Sequence, residues 1–149
     1  MRRLAGAALI AIFGATAAWA GPTVRPGGWT HQLTIQSATI PGIPGFLIPK
    51  NRPRTHKSCL AAADAARNPG VLLVGEKMSC TPRRFTMAEG RISSIASCVD
   101  ERLGTPMTVQ STGTYTATSY SIRSVSTGVR KGRPLHIETV STGTLTHAC

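Results

Sequence analysis

Acidic side chains are scarce in this sequence: six Asp and Glu stand against 17 Lys and Arg in 149 residues. Asp100–Glu101 is the one adjacent acidic pair, and neighbours on a strand point to opposite faces, a poor geometry for a glycosidase dyad. Aromatic residues make up only 5% of the chain, too few for a base-stacking platform, and nucleic acid is not expected as a partner. No Gly-x-Ser-x-Gly elbow, His-Glu-x-x-His pair or phosphate loop occurs. No two cysteines have the short gap of zinc ligands, so neither a metal nor another cofactor is implied. These absences point away from an enzyme. A Ser, His and Asp converging in a cleft would reverse that reading, since composition alone does not remove it.

What is present begins with an export pattern. Met1-Arg2-Arg3 precedes an uncharged run from Leu4 to Ala18, and Ala18-Trp19-Ala20 ends it as a small-x-small cleavage site. The run is about 15 residues, short of the roughly 20 that span a bilayer, so residues 1–20 read as a signal peptide and no transmembrane segment is expected after cleavage. The expected destination is the periplasm or the exterior. Residues 21–149 then form one domain, and removing Arg2 and Arg3 leaves 15 basic against six acidic side chains, a net charge of +9. Length and composition together exclude a multidomain enzyme, a polytopic membrane protein and a coiled coil.

Export settles how the four cysteines are read. An even number in an oxidising compartment implies two disulfides, with three possible connectivities. Cys80 and Cys98 lie nine residues to either side of Glu89, inside two β-like stretches, 80–88 and 91–99, around Ala88-Glu89-Gly90. A hairpin folded there places the two thiols across from one another, and Cys59–Cys149 follows by elimination.

Periodicity favours strands. Trp29, His31, Leu33 and Ile35 alternate with polar residues, as in a strand with one buried face. Between Thr105 and His147, 17 of 43 residues are Ser or Thr, which suits the wet face of an antiparallel sheet. Further strands are expected over 120–127 and 135–148, joined by a basic loop, Gly128–Pro134. Ser-Thr-Gly recurs at 111–113, 126–128 and 141–143, a meander rhythm that would put glycines at bulges or strand ends. The Ala-rich run from Ser58 to Arg67 reads as the single helix, centred on 59–66, with Ser58 as N-cap. The expected fold is mainly β: a curved or half-closed antiparallel meander of six to eight strands with one short helix.

Residues 41–53 hold four prolines in thirteen positions and must be an irregular loop. Phe46, Leu47 and Ile48 in its middle are candidates for an apolar contact surface or for a plug of the core. Lys50, Arg52, Arg54 and Lys57 follow, Arg83 and Arg84 precede the hairpin turn, and Arg130, Lys131 and Arg133 lie in another loop. Such clusters attract anions through fields that salt screens.

An exported chain opening with Pro26-Gly27-Gly28-Trp29 resembles a bacterial family known as domain of unknown function 3617. The shared order continues through Cys59-Leu60, a central Cys80 and Cys98 pair, the Thr112-Gly113-Thr114-Tyr115 meander and a final Cys149. This chain departs from that pattern in its basic charge, its alanines after Leu60 and its proline-rich loop. The resemblance implies an exported, disulfide-bonded β domain and brings no catalytic residues with it. The expected function is therefore a non-catalytic binding or structural module of the cell envelope, with anionic envelope components as partners. A small carrier holding an apolar ligand against Leu33, Ile35, Val109 and Tyr115 is the alternative, and an envelope hydrolase or inhibitor is the third reading.

Overall fold

The computed structural model describes residues 23–73 and 78–149. The signal-peptide reading of residues 1–20 lies outside the described residues. Seven strands form one antiparallel sheet: β1 (Gly27–Thr39), β2 (Arg54–Leu60), β3 (Met78–Ala88), β4 (Arg91–Asp100), β5 (Thr105–Tyr115), β6 (Ser119–Arg130) and β7 (Arg133–His147). Their spatial order is β2-β1-β7-β6-β5-β4-β3, so β3 to β7 run as a meander and β1 adds to its far side. β2 and β3 are opposite edges and do not pair with each other; the sheet stays unclosed. The chain between them carries a short helix, α1 (Ala62–Arg67), and a 3-10 turn, Pro69–Leu73.

Period-2 patterning decides which face is covered. Trp29 lies opposite Leu145, His31 opposite Gly143, Gly143 opposite Tyr120, and Tyr120 opposite Tyr115. These residues share one face, and Trp29, Tyr115, Tyr120 and Ile122 join Ile92, Leu60 and Leu72 in a single buried cluster. Leu72 comes from the 3-10 turn, so the connector covers this face. The opposite face carries Thr30, Thr142, Thr144, Ser121, Thr114 and Thr112, the wet side expected of the Thr-rich third.

Two hairpins close through two-residue turns with both residues left-handed: Glu89-Gly90 at φ 51° and 74°, and Lys131-Gly132 at φ 52° and 70°. That geometry matches the twist of paired strands and favours Asn-Gly over Glu-Gly. Glu89→Asn is therefore expected to stabilise the domain by about 0.5 kcal/mol, read as a raised urea midpoint with unchanged slope. On the exposed edge, β3 carries Pro82 at a register shift between Pro82 and Arg84, which blunts that edge against pairing with another chain.

The cysteines pair as Cys80–Cys98 and Cys59–Cys149, with Cα atoms 4.1 and 5.7 Å apart. Cys80 and Cys98 are register partners on β3 and β4.

Three local expectations are corrected. Ser58 does not cap a helix; Ser58, Cys59 and Leu60 end β2, opposite Trp29, Gly28 and Gly27. The helix starts at Ala62 with no side-chain cap and no buried residue. Burial of Leu60 beside Trp29 outweighs the helical propensity of a short alanine run. Gly128–Pro134 is not a loop, because pairing continues to Arg130 and Arg133 and leaves only Lys131-Gly132 to turn. Gly113, Gly128 and Gly143 lie neither at bulges nor at strand ends. They sit in unshifted register where neighbouring groups cross the backbone: Ser121 and Ile122 at Gly113, Pro106 at Gly128, and the Tyr120 ring at Gly143.

Candidate functional site

The proline-rich segment leaves β1 at Thr39 and returns to it. Asn51 N–H donates to the carbonyl of Ile35 at 2.8 Å, and Lys50 bridges to the same residue. Ile48 is buried and anchors the loop, so the apolar trio divides: Ile48 is a plug, while Phe46 and Leu47 are 86% and 63% exposed on a 3-10 turn, Gly45–Leu47. Pro41, Pro44 and Pro49 keep the segment from pairing beyond that single bridge, and Phe46 and Leu47 are left exposed.

The β6–β7 hairpin meets this loop. The Arg130 guanidinium donates to the carbonyl of Pro41, and a methyl group on Gly42 would meet Lys131 Nζ at 3.0 Å. Val129, 65% exposed, precedes Arg130, and Arg133 pairs with Arg130 across the turn. Lys50 Nζ comes within 4.0 Å of the Cβ position of Gly45. Two segments about 85 residues apart thus meet: the loop that carries exposed Phe46 and Leu47 with Lys50 and Arg52, and the turn that carries Arg130, Lys131 and Arg133. Arg54 and Lys57 belong to β2, opposite Leu33 and Thr30, and Arg83 and Arg84 lie on the far edge strand β3. Val129 was not singled out from the sequence. It precedes Arg130 on β6, and adjacent strand residues point to opposite faces, so it lies away from the loop that Arg130 reaches.

A second constellation, unforeseen except that His31 shares parity with Trp29 and Leu33, is centred on buried His31 and Tyr120. His31 Nδ1 is hydrogen-bonded to the Tyr120 hydroxyl at 2.7 Å and Nε2 to Ser58 Oγ at 2.7 Å. Tyr120 continues to Ser141 Oγ at 3.3 Å, and the His56 ring stacks on His31 with centroids 4.6 Å apart. Burial, aided by the neighbouring His56, lowers the His31 pKa to about 4. Burial likewise raises that of Tyr120. The reach from β6 to β1 passes over Gly143, where any side chain would collide with the Tyr120 ring. Ser58 and His31 have the spacing of a nucleophile and its base, but both ring nitrogens bond hydroxyls, and among the described residues no carboxylate hydrogen-bonds to the imidazole. So weak a base is poorly matched to deprotonating a serine near neutral pH. The chain suits a neutral imidazole locking β2, β1 and β6 together.

An open cleft of about 600 Å³ lies at the other end of β1, lined by Arg25, Leu60, Leu145, His147 and the Cys59–Cys149 bridge, among others. Leu33, Ile35, Val109 and Tyr115, the walls expected of a carrier, do not line it. Among the described residues no three His, Cys, Asp or Glu groups are placed to hold a metal ion, and no helix is long and apolar enough to cross a membrane.

These features define a disulfide-bonded antiparallel β domain with a basic, apolar-tipped end. The family described as protein of unknown function (DUF3617) matches residues 24–149, and the chain belongs to it. No curated protein and no solved structure matches.

Proposed function

We infer that this is an exported, non-catalytic module that docks on anionic bilayer surfaces of the cell envelope through its basic tip. The observation that carries this reading is the convergence of the 41–53 loop, with its exposed Phe46 and Leu47, on the basic β6–β7 turn. Apolar side chains enter the interface while lysine and arginine meet headgroup charge, each cation contributing about 1 kcal/mol near such a surface. The signal-like start and the two disulfides support an oxidising, exported setting. The engagement of both His31 ring nitrogens by hydroxyls supports the non-catalytic part of the reading.

Sedimentation with phosphatidylglycerol-containing vesicles tests it. Binding is expected on anionic but not on pure phosphatidylcholine vesicles, and it should fall steeply with added salt. The Lys131→Glu, Arg133→Glu double variant, which spares the Arg130 contact to Pro41, should weaken binding at least about thirtyfold. Phe46→Ser with Leu47→Ser should weaken it about tenfold or more through lost apolar burial. Equal retention on neutral and anionic lipid would refute the reading.

A further inference from the structure

The two disulfides differ in what governs their exchange with thiols. Cys98 is buried, and Cys80 faces it in register within the β3–β4 ladder. Cys59 and Cys149 are both exposed, and both line the open cleft. Arg25 and His147 stand on the walls of that cleft, with Leu60 and Leu145 supplying apolar surface. A thiolate attacks only a sulfur it can reach, and nearby cations favour both the entering thiolate and the one that leaves. The two sulfurs are also held differently. Cys59 is held in β2 opposite Gly28, whereas Cys149 lies two residues past the end of β7, outside the ladder. The sheet does not depend on this bridge alone to hold β2, which has seven register partners on β1.

We propose that Cys59–Cys149 is a thiol-exchange site whose co-reactant is a carboxylate-bearing thiol that enters the cleft beside Arg25 and His147. The incoming thiolate attacks Cys149 Sγ. The Cys59–Cys149 bond breaks, its electron pair leaves on Cys59 Sγ as a thiolate, and a mixed disulfide forms at Cys149. A second thiolate attacks the outer sulfur of that adduct, joining the two co-reactant sulfurs and releasing Cys149 as a thiolate. Two thiols are oxidised to one disulfide, the bridge is reduced to two cysteines, and the two protons given up by the thiols return to Cys59 and Cys149.

Reduced glutathione, which carries carboxylates, is the probe, with neutral 2-mercaptoethanol as control. The oxidised chain is incubated with increasing thiol, quenched in acid, alkylated and peptide-mapped. Cys59 and Cys149 should become labelled at glutathione concentrations at least about tenfold below those that open Cys80–Cys98, with the adduct on Cys149 and the β-type circular dichroism unchanged. Arg25→Glu keeps the backbone bonds of that residue to Ala117 and to the Trp29 indole. It should slow glutathione several-fold and leave mercaptoethanol unaffected. Both bridges opening together, an adduct on Cys59, or equal rates in the Arg25→Glu variant with both thiols would overturn the proposal.

Discussion

Replacing Gly143 by valine is expected to destabilise the domain by about 3–5 kcal/mol, the sum of overpacking and the loss of buried hydrogen bonds. Gly143 lies in unshifted register between His31 and Tyr120, and its missing side chain is the space that the Tyr120 ring occupies. A branched side chain drives the ring off β7 and takes its hydroxyl away from His31 Nδ1 and Ser141. Gly132 provides the contrast. A methyl group there meets nothing within 4 Å, but φ is 70°, so Gly132→Ala carries only backbone strain of about 1 kcal/mol. Urea titration of both variants separates the two effects. Adding Tyr120→Leu to Gly143→Val should recover part of the loss, because the colliding ring is gone; strictly additive effects would refute the packing argument.

How much of this architecture was legible depended on the range of the signal. The β3–β4 hairpin and its Cys80–Cys98 bridge could be read because a turn and two flanking cysteines are local features. Cys59–Cys149 followed from them only because two cysteines remained. The Thr-rich meander was legible through its period of two. Ser58 to Leu60 was misassigned because helix propensity is visible in ten residues, whereas pairing with Gly27 to Trp29 is not. The recurring Ser-Thr-Gly was noticed without its reason. What makes Gly143 necessary is a tyrosine 23 residues earlier reaching for a histidine 89 residues before it. At the tip the basic clusters were visible, but their selection was not. Only the fold brings Arg130 and Lys131 to Pro41 and Gly42 while leaving Arg83 and Arg84 on the far edge.

The same histidine gives the domain a pH dependence of definite sign. In the folded chain His31 is neutral, with a pKa lowered to about 4 by burial and by His56, against 6.5 when exposed. Well above pH 6.5 neither state holds the proton and the full stability is present. As pH falls below 6.5 the unfolded chain takes the proton while the folded chain does not, so stability declines until the folded pKa is reached. The loss is about 2 kcal/mol by pH 5 and about 3 kcal/mol by pH 4, where it begins to level off. Glu138 acts in a different window. Its carboxylate, hydrogen-bonded by His136 and Arg123, has a pKa lowered from 4.5, so its contribution is present above that value and fades only below it. Comparing urea midpoints at pH 7.5 and pH 5 therefore isolates His31. In His31→Gln the difference between the two pH values should shrink by most of that 2 kcal/mol, whatever the variant loses overall. An undiminished difference would mean that another group carries the acid sensitivity and that His31 is not the neutral centre of the hydrogen-bonded chain.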